Sequence, residues 1–149
     1  MMDKLDILDH IKGDLLARIK EADAELASLQ TSQRSDTKSS AGDKHETSRA
    51  MAQLEIERQL ERIAGARALL DLADKVVLDR ACDSIGFGNL VTTSTGLYFV
   101  ALAFGRVVLQ GKTCYCISLQ SPIGTALKGL SKGEGFEFQG RTVLVEHIA

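Results

Sequence analysis

Two stretches of the chain place apolar residues at alternating spacings of three and four. The first is Leu5, Leu8, Lys12, Leu15, Ile19, Ala22, Leu26 and Leu29, in which only Lys12 is polar. The second is Ile56, Leu60, Ile63, Ala66, Leu70, Ala73 and Val77, with one slip of phase near Ile63–Ala66. Such spacing keeps one stripe of a helix apolar and predicts two long helices that zip along a heptad seam. Between them, "TSQRSDTKSSAGDK" is polar and rich in Ser and Thr, which interrupts the periodicity and predicts a loop. The economical arrangement is helix, loop, antiparallel helix. Runs of roughly 26 to 28 residues at ~1.5 Å per residue make an arm about 40 Å long.

Beyond residue 77 the pattern changes. "NLVTTS" and "GLYFVALAF" read as strands divided at Thr95-Gly96, and "RVVLQ" and "KTCYCISL" flank Gly111 as a hairpin. "SPIGTALKGL" offers Ser121 as N-cap, Pro122 at the first helical position and Gly129 as a stop, which predicts one short helix. "FEFQGRTVLVEHI" closes as a hairpin around Gln139-Gly140. A small antiparallel sheet covering one short helix accounts for these signals, so the fold class is α+β.

Composition sharpens that division. Every aromatic residue (Phe87, Tyr98, Phe99, Phe104, Tyr115, Phe136, Phe138) lies after residue 77, as do ten of the 13 glycines and the single proline. The first 77 residues carry 12 basic and 15 acidic side chains. Residues 1–77 therefore read as an antiparallel coiled-coil arm with a tip loop near 31–46, and residues 78–149 as the sheet domain. A formal net charge of -2 gives no broad electrostatic grip on nucleic acid or an anionic membrane. No apolar run approaches the ~18–20 residues that span a bilayer, and "MMDKLDILDH" lacks the apolar core of a secretory signal. Three cysteines do not make a disulfide framework, and Cys114 and Cys116, two apart in a strand, read as reduced core or edge thiols. The expected location is cytoplasmic.

The candidate chemistry lies where the arm turns. In "SSAGDKHETSRAM", Asp43 and Glu46 stand three apart at the start of the second helical run. They fit a capping box, with Asp43 as N-cap and Glu46 reaching back, and both charges suit the helix dipole. Paired carboxylates also fit a divalent-cation role in phosphodiester chemistry. Two such groups are too few for a self-sufficient Mg²⁺ site, so that role needs a partner that already holds metal and phosphates.

Two motifs resemble a known family. "GDKHETSRA" looks like the Gly-Asp-x-x-Glu tip of the bacterial Gre transcript cleavage factors, carried at the end of an N-terminal antiparallel coiled coil. "SPIGTALKGLSKGEGFEF" followed by "GRTVLVEHI" looks like the family's C-terminal signature, in the family's order and at a plausible distance. The chain departs from typical members in a shorter, more apolar stretch from Ile85 to Gln120, and in a tip without their Asn-rich, Tyr-containing run. The resemblance implies an FKBP-like C-terminal domain and a coiled coil that enters the secondary channel of RNA polymerase. It implies that Asp43 and Glu46 help retain a Mg²⁺ of the polymerase active site and position water. The polymerase itself would then cleave the 3′ end of backtracked RNA.

On this resemblance Ser121 and Pro122 match the segment that meets the polymerase rim. The protein would be a monomeric accessory factor, not an enzyme, with no stably bound cofactor of its own. Two other readings stay open: a polymerase-binding regulator of the same fold without cleavage, and a self-associating coiled-coil adaptor with an inert tip.

Overall fold

The computed structural model describes residues 2–36, 42–80 and 82–149, with the side chains at 35, 36 and 42–45 outside the description. The elements run α1 (Lys4–Asp36), α2 (Gly42–Asp74), β1 (Asn89–Thr93), β2 (Gly96–Val100), β3 (Gly105–Leu109), β4 (Lys112–Ile117), α3 (Pro122–Leu127), β5 (Gly135–Phe138) and β6 (Arg141–Ile148). The chain is thus α+β, two long helices followed by a six-stranded sheet with one short helix. It divides into two compact units, Gly13–Ala68 and Met1–Lys12 together with Leu69–Ala149.

The arm unit consists of antiparallel stretches of α1 and α2. Each helix has 33 residues, longer than the periodicity suggested, because α1 continues through Thr31–Asp36. At ~1.5 Å per residue each is about 50 Å long. The Ser/Thr content that reads as a breaker is absorbed locally: the Thr31 hydroxyl donates back to the Ala27 carbonyl at 2.9 Å, within the helix. Along α1 the buried or half-buried stripe is Leu15, Ile19, Ala22, Leu26, Leu29 and Gln33.

On α2 the stripe is Ala52, Ile56, Gln59, Ile63 and Ala66. Gln59 is 4% exposed whereas Leu60, the residue that the apolar pattern selects, is 50% exposed. With Gln59 in the seam the alternation of three and four runs without a slip. Its amide is satisfied by its own helix: Nε2 donates to Glu55 Oε1 at 2.8 Å and Oε1 accepts from Arg62 at 2.9 Å. A buried amide with both ends partnered costs little.

In the other unit the first turns of α1 bury a different and wider face, Lys4, Ile7, Leu8 and Ile11, with Met2 buried just before them. Leu5, expected in the seam, is half exposed, and Val77 lies past the end of α2 and is exposed. Both follow from these turns packing within the sheet-bearing unit, where a two-helix stripe no longer decides burial. Lys12 pairs with Asp74 at 3.0 Å at the base of the two helices.

The sheet has the order β3-β4-β2-β1-β6-β5. Four pairings are antiparallel; β2 and β4 run parallel, so β4 lies between β2 and β3. The apolar run "GLYFVALAF" is not one strand. It leaves the sheet after Val100, with Phe104 N–H donating to the Leu102 carbonyl and Gly105 at φ +107. Two of the three hairpin turns, β3–β4 and β5–β6, are Gln-Gly, Gln110-Gly111 and Gln139-Gly140, with all four residues at positive φ. That is the pairing of type I′ turns, which match strand twist.

Alternation sends Tyr98, Val100 and Ile117 to the face that carries α3. There Ile85, Val91, Val100, Leu127 and Val145 form a buried cluster, flanked by Ile123, Leu130 and Phe136. Leu97, Phe99, Cys114 and Cys116 take the opposite face by register. Cys114 and Cys116 are buried free thiols, as their spacing suggested. Hydrogen bonding to Cys114 and burial push the Cys116 thiol far above its ordinary range.

Candidate functional site

The backbone is helical from Gly42, so Asp43 and Glu46 both lie in the opening turns of α2. Positions three apart are neighbours on a helix surface, and the helix dipole favours carboxylates there. Glu46 is exposed; the side chains of Asp43, Lys44 and His45, and with them the capping box, lie outside the described residues. The helical backbone starts at Gly42, so Asp43 is its second residue and not the N-cap that the capping-box reading made it. Two carboxylates supply too few oxygens for six-coordinate Mg²⁺. Among the described residues no group of three His, Cys, Asp or Glu could hold a metal.

The same unit has an open groove of about 330 Å³ lined by Gln30, Gln33, Arg34 and Arg49. Arg34 is in the last turn of α1 and Arg49 lies one turn beyond Glu46 on α2. Two guanidiniums with two carboxamides suit phosphate or carboxylate oxygens. Sequence reasoning missed this groove because it assigned Thr31–Asp36 to a loop; a helical reading of "SLQTSQR" would have put Gln30, Gln33 and Arg34 on adjoining positions.

Ser121 and Pro122 are in the other unit, at the start of α3. Ser121 is the N-cap, with extended φ and ψ, and its Oγ accepts from Gly124 N–H at 3.0 Å while donating to the Ser118 carbonyl at 2.7 Å. Pro122 follows at the first helical position, exposed, where its missing N–H costs nothing. Gly124 is buried, and a Cβ there would run into the Ser118 carbonyl oxygen and Ser121 Oγ. After Leu127 the chain turns at Gly129, φ +83, whose N–H donates to the Ile85 carbonyl at 2.9 Å. "SPIGTAL" thus encodes a braced cap that presents the Pro122 ring to solvent.

A third cluster, also unannounced by any sequence pattern, surrounds Cys82. Asn89, fully buried, donates from Nδ2 to Cys82 Sγ at 2.9 Å and to the Ala149 carbonyl at 3.0 Å, while its Oδ1 accepts from Gly86 N–H at 2.8 Å. Lys4 is 6% exposed, and its Nζ has no hydrogen-bond partner among the described residues. Burial pushes the Lys4 ammonium below its usual 10.5, and Arg80 adds to this; Cys82 and Asp79 oppose it.

No family model matches the chain, and no curated protein matches it. Among solved structures the chain is similar to one described as "Structure of the transcription factor Gfh1", with 21% identity, 92% of each chain covered and a TM-score of 0.36.

Proposed function

We propose that this protein is a Gre-like transcription elongation factor: an accessory to RNA polymerase that stimulates the polymerase's own cleavage of backtracked RNA. The observation that carries this reading is at the tip. The "GDKHETSRA" motif opens a 33-residue helix, with Asp43 and Glu46 in its first turns and Glu46 open to solvent. A seam of Ile56, Gln59, Ile63 and Ala66 then leads away from it.

In this reading the two helices carry the carboxylates into the secondary channel. Mg²⁺ belongs to the polymerase; Asp43 and Glu46 lend it carboxylate oxygens and orient water, and neither acts without the partner. Arg34 and Arg49, lining the groove near the tip, offer donors to phosphate oxygens of the displaced 3′ end. Ser121 and Pro122, fixed by the braced cap, meet the rim of the channel. The factor works as a cytoplasmic monomer.

The test uses stalled, backtracked elongation complexes with labelled RNA, incubated with wild type and with Asp43→Asn/Glu46→Gln. Stimulated cleavage by wild type, and its loss in the double variant with polymerase binding intact, supports the reading. Binding without cleavage by wild type overturns it in favour of a regulator of the same fold. No binding to polymerase overturns it in favour of a coiled-coil adaptor. The double variant should cost no more than ~1–2 kcal/mol of stability, the range of a lost cap.

A further inference from the structure

β3, Gly105–Leu109, forms one end of the sheet, with β4 on its inner side. Natural sheets blunt such an edge with a proline, a bulge, a covering element or a charge turned inward. β3 holds no proline, and it pairs with β4 from Gly105–Cys116 to Leu109–Lys112 without a register shift. The two-residue turn at Gln110-Gly111 makes Leu109–Lys112 a hydrogen-bonded pair, so Leu109, Val107 and Gly105 direct their backbone groups to β4. The N–H and C=O of Arg106 and Val108 then point outward. Among the described residues no backbone hydrogen bond from a loop or turn reaches either of them.

The same two residues carry the exposed face. Register sets Arg106 beside Tyr115 and Val108 beside Thr113, on the α3 side of the sheet. Val108 is 47% exposed and Tyr115 43% exposed, and the Tyr115 ring lies against Tyr98 at a centroid distance of 5.8 Å. Charge here has one sign: β3, its turn and β4 contain Arg106 and Lys112 and no acidic residue. Asp6 and Asp9 share a groove with Leu109 and Gln110, but Leu109 alternates to the other face. The edge at the opposite end of the sheet, β5, carries Glu137 instead.

We propose that β3 is a docking edge for an extended acidic peptide of a partner protein, which joins the sheet as a further strand. Main-chain hydrogen bonds to Arg106 and Val108 supply the affinity. An apolar side chain of the peptide rests on Val108 and Tyr115, and a carboxylate meets the Arg106 guanidinium. This edge lies in the sheet-bearing unit, so its test involves neither the tip carboxylates nor polymerase.

The experiment titrates the isotope-labelled full chain with a capped heptapeptide of alternating Glu and Val, and with its Lys–Val counterpart, followed by amide resonances. Shifts should map to β3 and β4 for the Glu–Val peptide alone. At saturation, hydrogen exchange at the Arg106 and Val108 amides should slow about tenfold. Arg106→Glu should weaken binding about fivefold. Val108→Pro removes an outward N–H and leaves the β4 ladder intact; it should weaken binding about tenfold, whereas Glu137→Lys on β5 should change nothing. No shifts with the Glu–Val peptide, equal binding of the Lys–Val peptide, or unaltered exchange at Arg106 and Val108 each overturns the proposal, whatever the variants do. Self-association of the protein through β3 with the peptide unbound overturns it in favour of a second copy.

Discussion

Leu60 and Ile63 separate the seam that the sequence suggests from the one the protein uses. Apolar spacing places both in the stripe; the structure leaves Leu60 50% exposed and Ile63 7% exposed. Truncating Ile63 to alanine removes buried methyl groups and leaves a gap between two helices. Such changes cost ~2–5 kcal/mol, and a two-helix interface that closes up in part belongs near the low end, about 2–3 kcal/mol. Leu60→Ala forfeits at most about half of the ~1.5–3 kcal/mol that full burial of a leucine is worth. Alanine's slightly better helix propensity offsets a few tenths of that, so the net loss is about 1 kcal/mol or less. Urea unfolding followed at the helical far-ultraviolet band should then separate the two midpoints by about 1 M, for slopes of ~1–3 kcal/mol per molar. A Leu60→Ala midpoint as low as that of Ile63→Ala would refute the placement of Gln59 in the seam.

Other changes probe the sheet-bearing unit. Gly124→Ala forces a methyl into the Ser118 carbonyl and Ser121 Oγ; it should destabilise by more than ~3 kcal/mol, and an unchanged melting temperature would count against the braced cap. Ser121→Ala should cost about 1 kcal/mol, with faster hydrogen exchange at the Gly124 amide. Lys4 binds its proton less tightly folded than unfolded, so its burial penalty is full below the lowered folded value and fades as pH rises toward 10.5. Lys4→Met should therefore melt higher than wild type at neutral pH, with the difference shrinking in alkaline buffer; a difference that grows would reverse the sign of the argument.

Much of this architecture is legible in residue order. The Gln-Gly turns, the Ser-Pro start and Gly129 stop of α3, and the charged, aromatic-free arm all act through local geometry, which neighbouring residues specify. What escapes is decided by groups distant in sequence or by side chains that change their usual role. Thr31 reads as a breaker until its hydroxyl is seen to bond back to Ala27. Gln59 reads as surface until Glu55 and Arg62 satisfy its amide. The Asn89 bridge between Cys82 and Ala149 spans the domain and leaves no spacing signal. At the tip, the carboxylate pair rests on its motif alone, whereas the Gln30–Arg34–Arg49 groove required the last turn of α1.

The placement of β4 between β2 and β3 bears on how the domain forms. β2 and β3 are consecutive in the chain yet never pair, so the β3–β4 hairpin has to turn over and present β4, its later strand, to β2. Local turn chemistry at Gln110-Gly111 lets that hairpin assemble early, but its docking is a longer-range event and slower than the turn itself. Until it docks, β2 stands with an open edge along Leu97–Val100, an aromatic and β-branched stretch of the kind that recruits strands from other chains. A chain truncated before Lys112 keeps that edge for good, and with it the hazard that the intact protein outgrows.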